Sequence, residues 1–192
     1  VFFSVAPLQD RTDGARPQRI RNMAEALDRP VPALRIFANR ALFDRRASAL
    51  RSLLAAGRPP GILYGENSTS PMPEAALIDD VAALVREFGA RGGKSAWFVR
   101  DLHWLDDVEG YLDDEDTQAR FIELGRRELE AMGGAVDVLL APSVASGAGF
   151  DQLLGRHGLE RRDWVPAPPG VTVTNVSDGS SRPRHRQGTT LL

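Results

Sequence analysis

Six short apolar, β-rich runs recur along this chain at intervals of ~30 to 40 residues, separated by stretches whose apolar residues repeat every three to four positions. Few folds satisfy that alternation. Parallel strands joined by right-handed helical crossovers do, so the expected architecture is an α/β domain with a doubly wound, Rossmann-like parallel sheet. The first run is VFFSVAP, residues 1–7, followed by a helix over 16–28 with Ile20, Met23, Ala24 and Leu27 on one face. ALRIFA (33–38) leads to a helix over 44–56, with Ala47, Leu50, Leu53 and Leu54 as its buried stripe and Gly57 as its stop. GILY (61–64) leads to a helix from about residue 73 to 88, whose stripe is Leu77, Val81, Leu84, Val85 and Phe88 and whose cap is Gly89. SAWFV (95–99) is the fourth strand. Acidic residues 113–116 then open a helix that reaches Met132 and ends at Gly133 and Gly134, as the macrodipole favours. VDVLLA (136–141), a helix over 146–156 carrying Phe150, Leu153 and Leu154, and a short strand at Trp164 and Val165 that stops at the prolines complete the series.

The chain has 192 residues, enough for one sizeable core, and one domain with a tail is the simplest division. Residues 1–173 form the Rossmann-like domain. From 174 to 188 the composition turns to Ser, Gly, Pro, Arg and His without apolar periodicity, a linker, and 189–192 (TTLL) read as the opening of a further domain. The absence of an initiating Met fits a piece of a longer product. Lys and Arg number 24 against 26 Asp and Glu, a net charge of -2, which provides no electrostatic case for nucleic acid as a partner. There is no cysteine, which excludes disulfides and thiolate metal sites. No apolar run approaches the ~20 residues of a transmembrane helix, so a cytoplasmic protein is expected, with a peripheral place at the inner membrane face left open.

Ligands of open parallel sheets sit beyond the carboxyl ends of the strands, which directs attention to three loops. The fourth strand ends in Arg100, Asp101, His103 and Trp104: a cation, a carboxylate, an imidazole and a flat aromatic ring in five residues. The third ends in Glu66, Asn67, Ser68 and Thr69, four consecutive hydrogen-bonding side chains suited to reading hydroxyl groups. The first loop carries Asp13 and Gly14 just before a helix with Arg16 in its opening turn, where free N–H groups and an arginine suit an anionic or sugar ligand. Together these donors, acceptors and the aromatic suit a carbohydrate. His103 is placed to act as a base toward a hydroxyl, oriented by Asp101, or to donate to a sugar oxygen.

Other literal matches carry less. Neither G-x-G-x-x-G nor a Walker lysine is present, so no dinucleotide fingerprint or P-loop exists. Asp114, Glu115 and Asp116 spell D-x-D, but their place at a helix start makes them dipole partners, and no metal is expected. His157 and His185 lack partners at ligand spacing. Ser143 follows a strand in APSVASG without the G-x-S-x-G of a hydrolase elbow.

Residues 135–171 (AVDVLLAPSVASGAGFDQLLGRHGLERRDWVPAPPGV) resemble the closing part of the N-terminal domain of GT-B glycosyltransferases of the group 1, family 4-like type. The likeness lies in a strand ending in Ala141, Pro142 and Ser143, a following helix and short strand, and the turn Pro168, Pro169, Gly170, Val171. The loop with Gly14 and its helix are similar to that family's first loop and helix, and FVRDLHWL is like its fourth-strand motif. The resemblance implies two facing Rossmann-like domains, of which this chain is the acceptor half and the absent C-terminal domain the nucleotide-sugar half. It implies a hexosyltransferase, of the retaining type, that needs no metal or bound cofactor beyond its nucleotide-sugar co-substrate. It further implies a carbohydrate or glycolipid acceptor held by Glu66, Asn67, Ser68, Thr69, Arg100, Trp104 and Ser143, with Asp13, Gly14 and Arg16 at the interdomain side. Asp101 and His103 inherit the sugar contact and the chemistry. The fragment by itself is then expected to transfer nothing. The competing reading is a non-catalytic carbohydrate- or ligand-binding module on the same sheet. A nucleotide-dependent oxidoreductase or epimerase ranks lower for want of a dinucleotide fingerprint.

Overall fold

In the computed structural model the described residues are 1–4, 20–25, 34–57, 61–67, 69–105 and 114–167. Six strands form one sheet: β1 (Phe2–Ser4), β2 (Arg35–Phe37), β3 (Ile62–Glu66), β4 (Lys94–Phe98), β5 (Val138–Ala141) and β6 (Trp164–Pro166). Every neighbouring pair is parallel, in the order β2-β1-β3-β4-β5-β6. The intervening helices are α1 (described over 20–25), α2 (Arg40–Ala55), α3 (Ala75–Ala90), α4 (Glu115–Gly133) and α5 (Val144–Arg156). The doubly wound, Rossmann-like α/β expectation is met.

Alternation along the strands sends their residues to two faces. Phe3, Leu63, Trp97, Val99 and Leu139 point to one side and join the buried stripes of α2, α3 and α4 together with Leu154 of α5. Phe2, Tyr64 and Phe98 point to the other, where Ile20 and Ala24 of α1 cover them. Helices on both faces explain why β3 and β4 are apolar almost without interruption. The widest side chain sits at the centre: Trp97 is fully buried, tilted against Phe3 at 5.3 Å between ring centres. Its seat is Gly65 on β3, directly opposite in register, where a Cβ would stand 2.3 Å from the indole.

Helix ends are set by local chemistry, and several differ from the periodicity-based bounds, among them the start of α5, at Val144 rather than 146 where Ser143 caps it. Helix α2 starts at Arg40 rather than 44 because the Asn39 carboxamide accepts the Leu42 N–H at 3.2 Å, a capping bond that apolar periodicity does not reveal. Helix α3 runs through Gly89 to Ala90, and the left-handed residue that closes it is Gly92, at φ 86°. Helix α4 opens at the acidic residues as expected, and Asp114 is its cap: its carboxylate accepts the Thr117 N–H at 2.7 Å and the Thr117 hydroxyl at 2.8 Å. Those bonds, led by the backbone one, hold its carboxyl below the usual carboxylate value.

The strand order reverses between β1 and β3, since the chain leaves β1 toward β2 on one side and returns to β3 on the other. A crevice opens at the carboxyl ends where such a reversal falls.

Candidate functional site

The register places Ser4 of β1 opposite Glu66 of β3, and Glu66 opposite Phe98 of β4, so the last residues of three strands meet at the reversal. Glu66 is buried there rather than presented to solvent, and the Tyr64 hydroxyl donates to its Oε2 at 3.3 Å. Phe2 stacks parallel to Tyr64 and floors this corner.

Beyond the strand ends lies a compact polar cluster of Asn67, Thr69, Arg100 and Asp101. The Asn67 N–H donates to the Phe98 carbonyl at 3.0 Å, its Oδ1 accepts the Arg100 N–H at 2.8 Å, and its Nδ2 reaches the Asp101 carbonyl at 3.5 Å. Asn67 thus prolongs the β3–β4 pairing after the backbone ladder stops, using a side chain for one rung. Asp101 Oδ2 accepts from Arg100 Nε at 3.0 Å and from the Thr69 hydroxyl at 3.4 Å, and Arg100 Nη2 donates to Thr69 Oγ1. Arg100 and Asp101 therefore form a half-buried ion pair buttressed by Thr69. The remaining carboxylate oxygen, Asp101 Oδ1, is buried and has no hydrogen-bond partner among the described residues. An unpaired buried carboxylate oxygen costs on the order of 1–3 kcal/mol, so a donor supplied from outside would be well received.

The sequence-derived site residues divide accordingly. Asn67, Thr69, Arg100 and Asp101 come together. His103 lies exposed in the turn just past them, and among the described residues no hydrogen bond joins it to Asp101, whose Oδ2 is taken by Arg100 and Thr69. The carboxylate is aimed by the guanidinium, not toward the imidazole. Trp104 departs furthest from expectation: it is 4 % exposed, packed in the core with its indole against Gly125 of α4, where a Cβ would lie 2.4 Å from the ring. Burying so large an apolar surface outweighs leaving it as an open platform, and the helix offers a glycine to receive it. Ser143 sits at the end of β5 as the N-cap of α5, accepting the Ser146 N–H at 3.0 Å. Asp13, Gly14, Arg16 and Ser68 lie outside the described residues, as do residues 168–192.

Periodicity alone overlooked Glu128. It stands on the buried stripe of α4 between Leu124 and Met132, where an apolar residue belongs, and is 4 % exposed. Its Oε2 accepts the Met72 N–H at 2.7 Å, and burial pushes the carboxyl up to about 7. A glutamate in phase with Leu124 and Met132 was the signal available in the sequence.

No cluster of three or more His, Asp or Glu among the described residues could hold a metal ion, and none of the described helices is long and apolar enough to cross a membrane. No protein-family model matches the chain, and no curated protein matches it. The fold and site together define a Rossmann-like α/β domain with a polar, hydroxyl-compatible cluster at the carboxyl ends of β3 and β4.

Proposed function

We propose that this chain is the acceptor-binding domain of a glycosyltransferase, taking a carbohydrate or glycolipid hydroxyl at the ends of β3 and β4 for transfer from a nucleotide-sugar donor held by a separate C-terminal domain. The observation that carries the reading is Asp101, a carboxylate fixed by Arg100 and Thr69 with its second oxygen left without a donor among the described residues. A sugar hydroxyl supplies the missing O–H. In the transfer, the acceptor oxygen bonds to the anomeric carbon, the bond from that carbon to the nucleotide phosphate breaks, and the acceptor proton leaves to a base. Exposed His103 is the nearby group able to take it. The acceptor preference for carbohydrate, and the division of labour between two domains, follow from the resemblance of residues 135–171 to group 1 glycosyltransferases.

The test is nucleotide release by the protein produced with its full coding sequence, offered a panel of nucleotide sugars and glycoside acceptors, with residues 1–192 run alongside. Release by the long form that falls at least about tenfold in Asp101→Ala and His103→Ala supports the assignment. Turnover unaffected by both substitutions overturns it. Sugar binding by residues 1–192 with no release by any form moves the assignment to a non-catalytic binding module.

A further inference from the structure

The segment that carries Thr69 into the polar cluster is moored from below by α4 at two points. Arg120 Nη2 donates to the Pro73 carbonyl at 3.1 Å on the exposed side, and Glu128 takes the Met72 N–H on the buried side. The two moorings are physically unlike. The first is a solvated arginine and is replaceable. The second is a carboxyl in the core whose one hydrogen bond among the described residues comes from a backbone N–H.

Glu128 also lines a small cavity of about 10 Å³ together with Asn67, Trp97, Val99, Leu102, Trp104, Gly125 and Leu129. That volume admits about one water molecule, too little to hydrate a carboxylate. Among the described residues, the other polar groups on the wall are the indole N–H groups of Trp97 and Trp104 and the carboxamide of Asn67, the residue that links β3 to the Arg100–Asp101 turn. No other titratable group among the described residues lines the cavity. On the elements around it, Arg127 of α4 is paired with Asp79 of α3 at the surface, Arg120 reaches Pro73, Arg100 and Asp101 are paired with each other, and His103 is exposed.

We propose that Glu128 is the positioning residue of the Asn67–Asp101 cluster, its protonation deciding how the 69–73 segment and the Asn67 carboxamide are held. When neutral, Glu128 accepts from Met72 and leaves Asn67 to its bonds with Arg100 and Asp101. When ionised, a charge with a single donor draws a second one from the wall, and the Asn67 carboxamide, unlike the packed indoles of Trp97 and Trp104, turns by rotating one short side chain. The Asn67 Nδ2–Asp101 contact, at 3.5 Å, is the weakest bond in the cluster and the first to yield. The importance of this control for ligand binding rests on the cluster being the ligand site, but the control itself does not.

NMR of the 192-residue chain between pH 5 and 9 tests it without any ligand. The Glu128 side-chain carboxyl resonance should titrate near neutrality, and the amides of Met72, Thr69 and Arg100 and the Asn67 side-chain NH₂ should shift with the same midpoint. Glu128→Gln, neutral at every pH and still able to accept from Met72, should remove that midpoint and show the acidic-form positions at pH 9. Because an imidazole also titrates near neutrality, His103→Gln is the control and should leave the midpoint in place. A Glu128 midpoint in the ordinary carboxylate range, a response confined to Met72, or a midpoint abolished by His103→Gln would each overturn the proposal. Failure here leaves the transfer reading standing, and failure of the transfer assay leaves this result untouched.

Discussion

Strands β4 and β5 each have an aspartate beside them, one at either end of the sheet, and the two could hardly be treated more differently. At the amino end Asp137 is fully engaged: Oδ2 accepts the Ser95 N–H at 2.7 Å and its hydroxyl at 3.0 Å, Oδ1 accepts from Lys94 at 3.3 Å, and the Asp137 N–H donates to Ser95 Oγ at 3.1 Å. At the carboxyl end Asp101 has one oxygen crowded with donors and the other buried with none among the described residues. A carboxylate with donors on both oxygens is a staple. One held in place but left incomplete stores a cost that structure alone does not repay, which is the condition expected of a binding group. The contrast extends to the buried carboxyls: no glutamate like Glu128 stands at the amino end among the described residues, whereas the carboxyl end has both Glu66 and Glu128 below the loops.

The severest way to break this comparison is to break the rod between the two ends. Gly65→Val drives a side chain into the body of the Trp97 ring, which has no room to move, and should cost about 3 kcal/mol or more. Denaturant unfolding followed at both ends should show them lost in one transition. A variant as stable as the parent would mean that Trp97 does not couple them.

Acidity should sharpen the comparison, because the two ends respond to pH with opposite sign. Glu128 titrates at about 7 when folded against an ordinary 4.5, so between those values the folded state keeps a proton that the unfolded chain has released. Its contribution therefore weakens as pH rises through that interval, by roughly 3 kcal/mol at most. Asp137 is held below its ordinary 3.8, chiefly by the Ser95 N–H, so its contribution is complete above that value and lost as pH falls below it. The melting temperature across pH 3–9 should be highest near ~pH 4–5 for these two groups. Glu128→Gln should flatten the alkaline side and leave the acid limb alone. A flat alkaline limb in the parent would show Glu128 to be hydrated.

The smallest effect separates staple from site. Asp137→Ala should lower the Tm by a few degrees without altering ligand binding, whereas Asp101→Asn should change the Tm little and abolish binding. Circular-dichroism melts and acceptor titrations on the same two proteins decide this, and equal losses of stability would erase the distinction drawn here.

Much of this was legible in the chain before any coordinates. Each described strand and helix falls in a stretch that apolar periodicity marks, and α4 opens at the acidic residues that favour a helix start. Boundaries slipped where a polar side chain outvoted periodicity, as Asn39 does for α2. The candidate cluster was legible by location, since Asn67, Thr69, Arg100 and Asp101 follow buried strands directly. The role of each was not. Trp104 looked like a platform because an aromatic beside a histidine in a loop gives no sign of which face it will bury. The glycine that receives it is 21 positions along the chain, Gly125.

What the sequence determined by itself is what neighbours in the chain decide: six strands, the helices between them, and therefore a parallel α/β sheet. These depend on backbone propensity and side-chain period within a turn or two. Only the tertiary structure decided the reversal of strand order between β1 and β3, the burial of Trp104 and Glu128, and the unequal fates of Asp101 and Asp137. Those outcomes hang on contacts such as Arg100 with Asn67, 33 residues apart, and Met72 with Glu128, 56 apart. Desolvation and pairing energies arise only once such distant groups are packed together, so no local pattern in the chain encodes them.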